Sequence, residues 1–124
     1  MDIPERHQTV IPYLIVRNAG DFLSFMKNVF DAKESYKAMR DGHTIQHAEL
    51  SIGGSTIMFA DATDQYKPQP AGLFIYVNNA DETFKKAVEA GAATVTEIAD
   101  QPYGRSGGVK DPFGNTWWIT SVKE

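Results

Sequence analysis

The sequence predicts an α+β fold made of two tandem βαβββ modules, forming a curved mixed sheet around a cavity with the helices on the outside. Three observations carry this expectation. Only two segments have the 3.6-residue apolar period of a helix; the rest alternates as strands broken by Gly, Pro and Asn turns. The order of elements repeats at an offset of 60 to 61 residues. Sorting the strand residues by parity gives one wholly apolar face and one mixed face, and the second carries too many large rings to sit open to bulk water.

The repeat is visible in two places. "LIVRNAGDF" at 14–22 matches "IYVNNADET" at 75–83, as strand, Asn-Ala, acidic residue and helix start. Asn18 and Asn79 fall where a helix N-cap belongs. "GGSTIMFA" at 53–60 matches "FGNTWWIT" at 113–120, pairing Gly54 with Gly114, Thr56 with Thr116 and Met58 with Trp118.

Taken in order, residues 10–16 read as an apolar, β-branched strand. Residues 19–30 read as a helix, because Phe22, Phe25, Met26, Val29 and Phe30 share one face. Strands follow near 34–40, 45–52 and 55–60, the last two joined through Gly53-Gly54, a two-residue hairpin signal. The polar stretch "DATDQYKPQP" at 61–70 reads as a linker, so module one spans about 9–60 and module two 71–122. The second module has a strand at 71–77, a helix at 80–90 stopped by Gly91, and strands near 93–98, 106–110 and 115–121. "DPFGN" supplies the turn into the last strand.

Parity places Leu14, Val16, Ala48, Leu50, Ile57, Phe59, Trp117 and Ile119 under the helices. The opposite face holds Tyr13, His47, Glu49, Met58, Phe74, Tyr76 and Trp118, and is expected to line a cavity. The adjacent Trp117 and Trp118 thus divide between core and cavity.

Composition narrows the partners. A net charge of −4 and the lack of any basic patch argue against nucleic acid and anionic membrane surfaces. The absence of cysteine removes disulfides, thiolate metal sites and thiol nucleophiles. "MDIPERHQTV" lacks a signal-type apolar region, and no apolar run approaches the ~20 residues that span a bilayer, so a cytoplasmic protein is expected.

The segments "PYLIVRNAGDFLSFMKNVF", "HAELSIGGSTIMFAD" and "GGVKDPFGNTWWIT" together resemble the vicinal oxygen chelate superfamily, the glyoxalase/bleomycin resistance/dioxygenase fold. Within it they look most like the small branch of phosphonate-operon proteins and demethylubiquinone methyltransferase-like glyoxalase domains. The resemblance covers residues 9–122 and implies a fold that hosts isomerases, dioxygenases, lyases, transferases and drug-sequestering proteins. It also implies homodimers, and in chemically active members a divalent metal held by four strands. The equivalent positions here are Ile11, Met58, Gly72 and Trp118, none of which suits a hard or borderline cation, so no metal is expected.

The remaining polar chemistry centres on His47 and Glu49, two apart on one strand and able to act as an acid/base pair. A displaced metal site built on them would need a further ligand, for which His43 is the nearby candidate. In "QPYGRSGGVKD" at 101–111, the glycines would permit close approach of a ligand, with Tyr103 and Arg105 reaching over the cavity mouth and Arg105 facing an anion. The ligand-binding set is Tyr13, Met58, Phe74, Tyr76, Tyr103, Arg105 and Trp118. The expected function is binding of a small organic molecule in an aromatic-lined cavity without the usual metal. The alternatives are a lyase- or isomerase-type enzyme acting through His47 and Glu49, and an interaction module with a vestigial cavity.

Overall fold

The computed structural model describes residues 1–123, which divide into two compact units at the Gln69–Pro70 boundary. Each is a four-stranded mixed sheet with one helix, so the α+β class and the module repeat are both present.

The first unit contains β1 (Tyr13–Val16), α1 (Ala19–Phe30), β2 (Lys33–Met39), β3 (Ile45–Ile52) and β4 (Ser55–Asp61), with spatial order β1-β4-β3-β2. β1 runs parallel to β4 because α1 carries the chain back across the sheet, while β2, β3 and β4 are antiparallel neighbours. The apolar face of α1 packs on alternate strand residues: Phe22 meets Phe59 edge-on at 5.1 Å, over Leu14, Val16, Ala48 and Leu50, all at most 2% exposed. Each of these side chains larger than Ala48 contributes roughly 1.5–3 kcal/mol by leaving water. Gly53 and Gly54 turn β3 into β4 with φ of 50° and 89°, the left-handed geometry that a two-residue hairpin requires.

Asn18 occupies the N-cap position of α1, as the sequence predicts, but its side chain makes no capping bond. It adopts left-handed backbone (φ 60°), and the first helical amide, Ala19 N–H, instead donates to Asp61 Oδ1 at 2.9 Å. Asp61 Oδ2 accepts from Ile45 N–H at 2.7 Å, so one buried carboxylate ties α1, β3 and β4 together. The stretch expected as a linker is partly structural: Asp61 ends β4, and Gln69 N–H donates to Ile15 O, which keeps Gln69 with the first unit.

The second unit contains β5 (Gly72–Tyr76), α2 (Ala80–Glu89), β6 (Ala93–Gln101), β7 (Gly104–Lys110) and β8 (Thr116–Val122), in the order β5-β8-β7-β6. Here the Asn79 side chain does cap, accepting from Glu82 N–H, and Ala80 N–H donates to Ser121 Oγ. The 101–108 segment is not an open loop: β6 and β7 meet across a two-residue turn, Pro102-Tyr103. Its glycines serve internal packing. A Cβ at Gly108 would clash with the Trp118 ring, and one at Gly107 would lie 2.9 Å from Phe84.

Trp117 is 1% exposed, as its parity predicts. Its indole N–H donates to Asp111 Oδ2 at 2.8 Å. Asp111 also accepts from Asn115 Nδ2 and from the amides of Phe113 and Asn115, so "DPFGN" is a buried polar knot as well as a turn. Asp111→Ala would orphan several donors in a site that is 3% exposed, and is expected to cost at least about 3 kcal/mol in urea unfolding. A loss below about 1 kcal/mol would show that water replaces the carboxylate.

Candidate functional site

Strand register assembles the site on the sheet face opposite α1. Parallel pairing sets Tyr13 beside Met58, and antiparallel pairing sets Met58 beside Glu49. His47 lies two residues from Glu49 on the same face of β3. The Tyr13 hydroxyl therefore reaches His47 Nδ1 at 3.0 Å, and His47 Nε2 reaches Glu49 Oε2 at 2.9 Å. Tyr36 on β2 stands against the same imidazole, with ring centroids 6.0 Å apart.

The other carboxylate oxygen is taken from outside the sheet. His7 Nε2 lies 2.8 Å, and Arg6 Nε 3.0 Å, from Glu49 Oε1. Gln8 exchanges two hydrogen bonds with the Thr56 backbone, and the Thr56 hydroxyl donates to Arg6 O, so residues 6–8 are fastened along β4. His7 has no role visible in the sequence, because nothing in "DIPERH" shows where that segment docks.

Glu49 is 3% exposed. Burial alone would raise its pKa, but hydrogen bonds from His7, His47 and Arg6 outweigh that and lower it to about 2. An ionised Glu49 only accepts, so the imidazole nitrogen facing it, His47 Nε2, is the one that bears a proton, and Nδ1 faces the Tyr13 hydroxyl. Burial is the main reason the Tyr13 phenol sits above its usual pKa, with the Arg40 charge working the other way. Tyr13 is thus a neutral phenol whose hydroxyl is paired with His47 Nδ1.

Tyr13 also forms part of the wall of a cavity of about 700 Å³ in the first unit. Ile15 and Ala60 give it an apolar floor, and Tyr66, Arg40 and Gln46 line it further. Tyr66 is held by a tight turn: its N–H donates to Thr63 Oγ1 at 2.9 Å, and Thr63 N–H donates to Tyr66 O. Neither Arg40 nor Tyr66 stands out in the sequence, since each lies next to a turn rather than on a patterned face.

The other expected ligand-binding residues do not line this cavity, and all but Met58 lie in the second unit. Phe74 packs edge-on against Tyr76 at 5.1 Å and tilts against Tyr103 at 6.3 Å, and these rings, with Trp118, stay 37–62% exposed. Arg105 is already committed: its guanidinium binds Asp81 through two nitrogens at 2.8 and 3.0 Å and Asp100 at 3.2 Å. Those contacts raise its pKa further. Met58 is half-buried beside Glu49 and Tyr13.

The donor chemistry does not fit the divalent metal that the resemblance implies. Ile11 and Gly72 offer no side-chain donor, Trp118 an N–H, and Met58 only a soft thioether. Among the described residues no group of three or more His, Cys, Asp or Glu is arranged to hold a metal ion. His43 sits exposed in the β2–β3 turn, and the Arg6 guanidinium on Glu49 Oε1 would repel a cation placed there. No helix among the described residues is long and apolar enough to cross a membrane.

This fold and sequence define a family. Residues 7–119 match the model of the Glyoxalase/Bleomycin resistance protein/Dioxygenase superfamily, and the chain belongs to it. It is 33% identical over 118 residues to the uncharacterized protein Rv0887c of Mycobacterium tuberculosis, covering 86% of this chain and 69% of that protein. Its fold is similar to a putative 3-demethylubiquinone-9 3-methyltransferase, PhnB protein, of Bacillus cereus (TM-score 0.77, 20% identity, 93% and 100% of the two chains). It is also similar to the At5g48480 gene product of Arabidopsis thaliana (TM-score 0.71, 26% identity, 91% and 98%).

The Glu49 network gives acid stability a defined shape. A carboxyl lowered from 4.5 to about 2 by folding adds stability that is complete above pH 4.5 and is lost as the pH falls toward 2. The shift corresponds to about 3 kcal/mol. Glu49→Gln is expected to lose about that much in urea unfolding at neutral pH and to converge with the parent chain in acid. Parallel acid limbs for the two chains would locate the acid-sensitive group elsewhere.

Proposed function

We propose that the chain binds a small organic molecule in the cavity of the first unit, and does so without the divalent metal used by chemically active relatives. The observation that carries this reading is a cavity of about 700 Å³, of ligand size, whose wall includes the Tyr13 phenol wired through His47 to buried Glu49. An apolar floor with a few fixed polar groups is what binding and orienting a small molecule requires.

A second reading has its own support. Tyr13–His47–Glu49 is a phenol–imidazole–carboxylate chain in which Tyr13 can hand its own proton to a neutral His47 at Nδ1 as its oxygen takes one from a bound molecule, the resulting imidazolium being stabilised by Glu49. That would make the site an acid/base catalyst of lyase or isomerase type. We also infer a homodimer, supported by the contacting aromatic rings of Phe74, Tyr76 and Tyr103, which remain exposed in the second unit.

A melting screen against small aromatic compounds separates the readings. Some compounds are expected to raise the melting temperature and to shift the amide signals of Ile15, Ala60 and Tyr66. His47→Gln is expected to weaken that binding by about tenfold or less. Turnover of a bound compound that His47→Gln abolishes would favour the enzyme. A flat screen would leave an interaction module. Light scattering tests the dimer, which Phe74→Asp is expected to dissociate.

A further inference from the structure

Resting on the small-molecule reading above, we propose that the cavity of the first unit recognises an organic anion, a carboxylate or phosphonate on a small apolar or aromatic body, and that Arg40 pairs with its charge. The sequence pattern pointed to Arg105 for that role. The structure spends Arg105 on Asp81 and Asp100, and Arg6 on Glu49. Arg40 is different. Among the described residues it forms no ion pair, and its guanidinium has only a 3.4 Å contact with Thr44 Oγ1. Arg17 is likewise outside the ion pairs but does not line the cavity.

The surroundings leave Arg40 available. Asp61, which also lines the cavity, is 8% exposed and has both oxygens occupied by backbone amides. Asp41, next in sequence, uses Oδ1 to hold the amides of His43 and Thr44, each at 2.7 Å. Asp64, exposed at the rim, is the remaining acid in the lining, and it disfavours a doubly charged ligand over a singly charged one.

Arg40 is also held in place. Its N–H donates to Thr44 O at 2.9 Å, closing the β2–β3 turn that Asp41 organises, so the residue stands at the cavity on a formed hairpin end. Arg40 and Tyr13 line the same cavity, so cation and phenol stand in one wall. A planar guanidinium pairs with a carboxylate or phosphonate through two hydrogen bonds. Tyr13, Tyr66, Ile15 and Ala60 supply aromatic and apolar surface for the rest of the molecule. In a chain of net charge −4, general attraction does not draw anions, so affinity for one must come from a local cation.

The test titrates the full chain with benzoate, phenylphosphonate and the neutral isostere benzamide, following backbone amide shifts. Benzoate and phenylphosphonate are expected to shift Ile15, Ala60 and Tyr66 and to bind at least about tenfold tighter than benzamide. Arg40→Gln is expected to lower anion affinity by about tenfold or more and benzamide affinity by far less, with Arg40→Lys between. Arg17→Gln is expected to change nothing. Equal binding of benzoate and benzamide, or anion affinity untouched by Arg40→Gln, overturns the proposal while small-molecule binding stands. An equal loss in Arg105→Gln returns the anion role to the second unit. If no probe moves a cavity amide, this proposal and the small-molecule reading both fail.

Discussion

Parallel pairing between the first and last strands of a module is the constraint from which the site follows. A parallel pair needs a crossover, and α1 and α2 are those crossovers. Each helix claims one face of its sheet, which leaves the other face for chemistry. In the first unit the pairing also fixes register: Tyr13 stands beside Met58, Met58 beside Glu49, and the phenol comes within hydrogen-bond reach of His47. A slip of one residue in β1 would send Tyr13 into the core and Leu14 out of it.

Charge is distributed on that face with little slack. Glu49 is buried, ionised and surrounded by donors, a costly arrangement unless every partner is present. The partners come from two places, His47 from the sheet and Arg6 with His7 from the segment ahead of it. The carboxylate thus orders a chain segment and orients an imidazole at once. Arg105 shows the opposite use of a cation: bound to two surface acids, it holds β7 to α2 and the end of β6, and keeps little for a ligand.

Much of the fold was legible because it is local or periodic. The α1 boundaries, the Gly53-Gly54 hairpin and the burial of Trp117 follow from periodicity, turn chemistry and parity. The repeat extends below the level of elements: Ala19 donates to Asp61 and Ala80 to Ser121, an equivalent bond in each module. What escaped was non-local. Parity shows that His47 and Glu49 share a face but not that Arg6 and His7 come to meet them. Glycines in a row suggest a pliable loop, yet Gly107 and Gly108 are empty because Phe84 and Trp118 fill the space above them. Arg105 looked available because its acidic partners lie 24 and 5 residues away in sequence.

The long-range capping of α1 bears on how the chain folds. The amide that opens the helix finds its acceptor on Asp61, 42 residues later, and the amide that opens α2 finds Ser121, 41 residues later. In each helix the first amide lacks this acceptor until the last strand of its own module has docked, although Asn79 already caps a later amide of α2. Completion of each helix start and closure of the parallel pair are therefore coupled within a module. A chain emerging during synthesis would hold α1 frayed at its first turn until β4 is available, then secure the helix start, the β3 start and the cavity wall in one step.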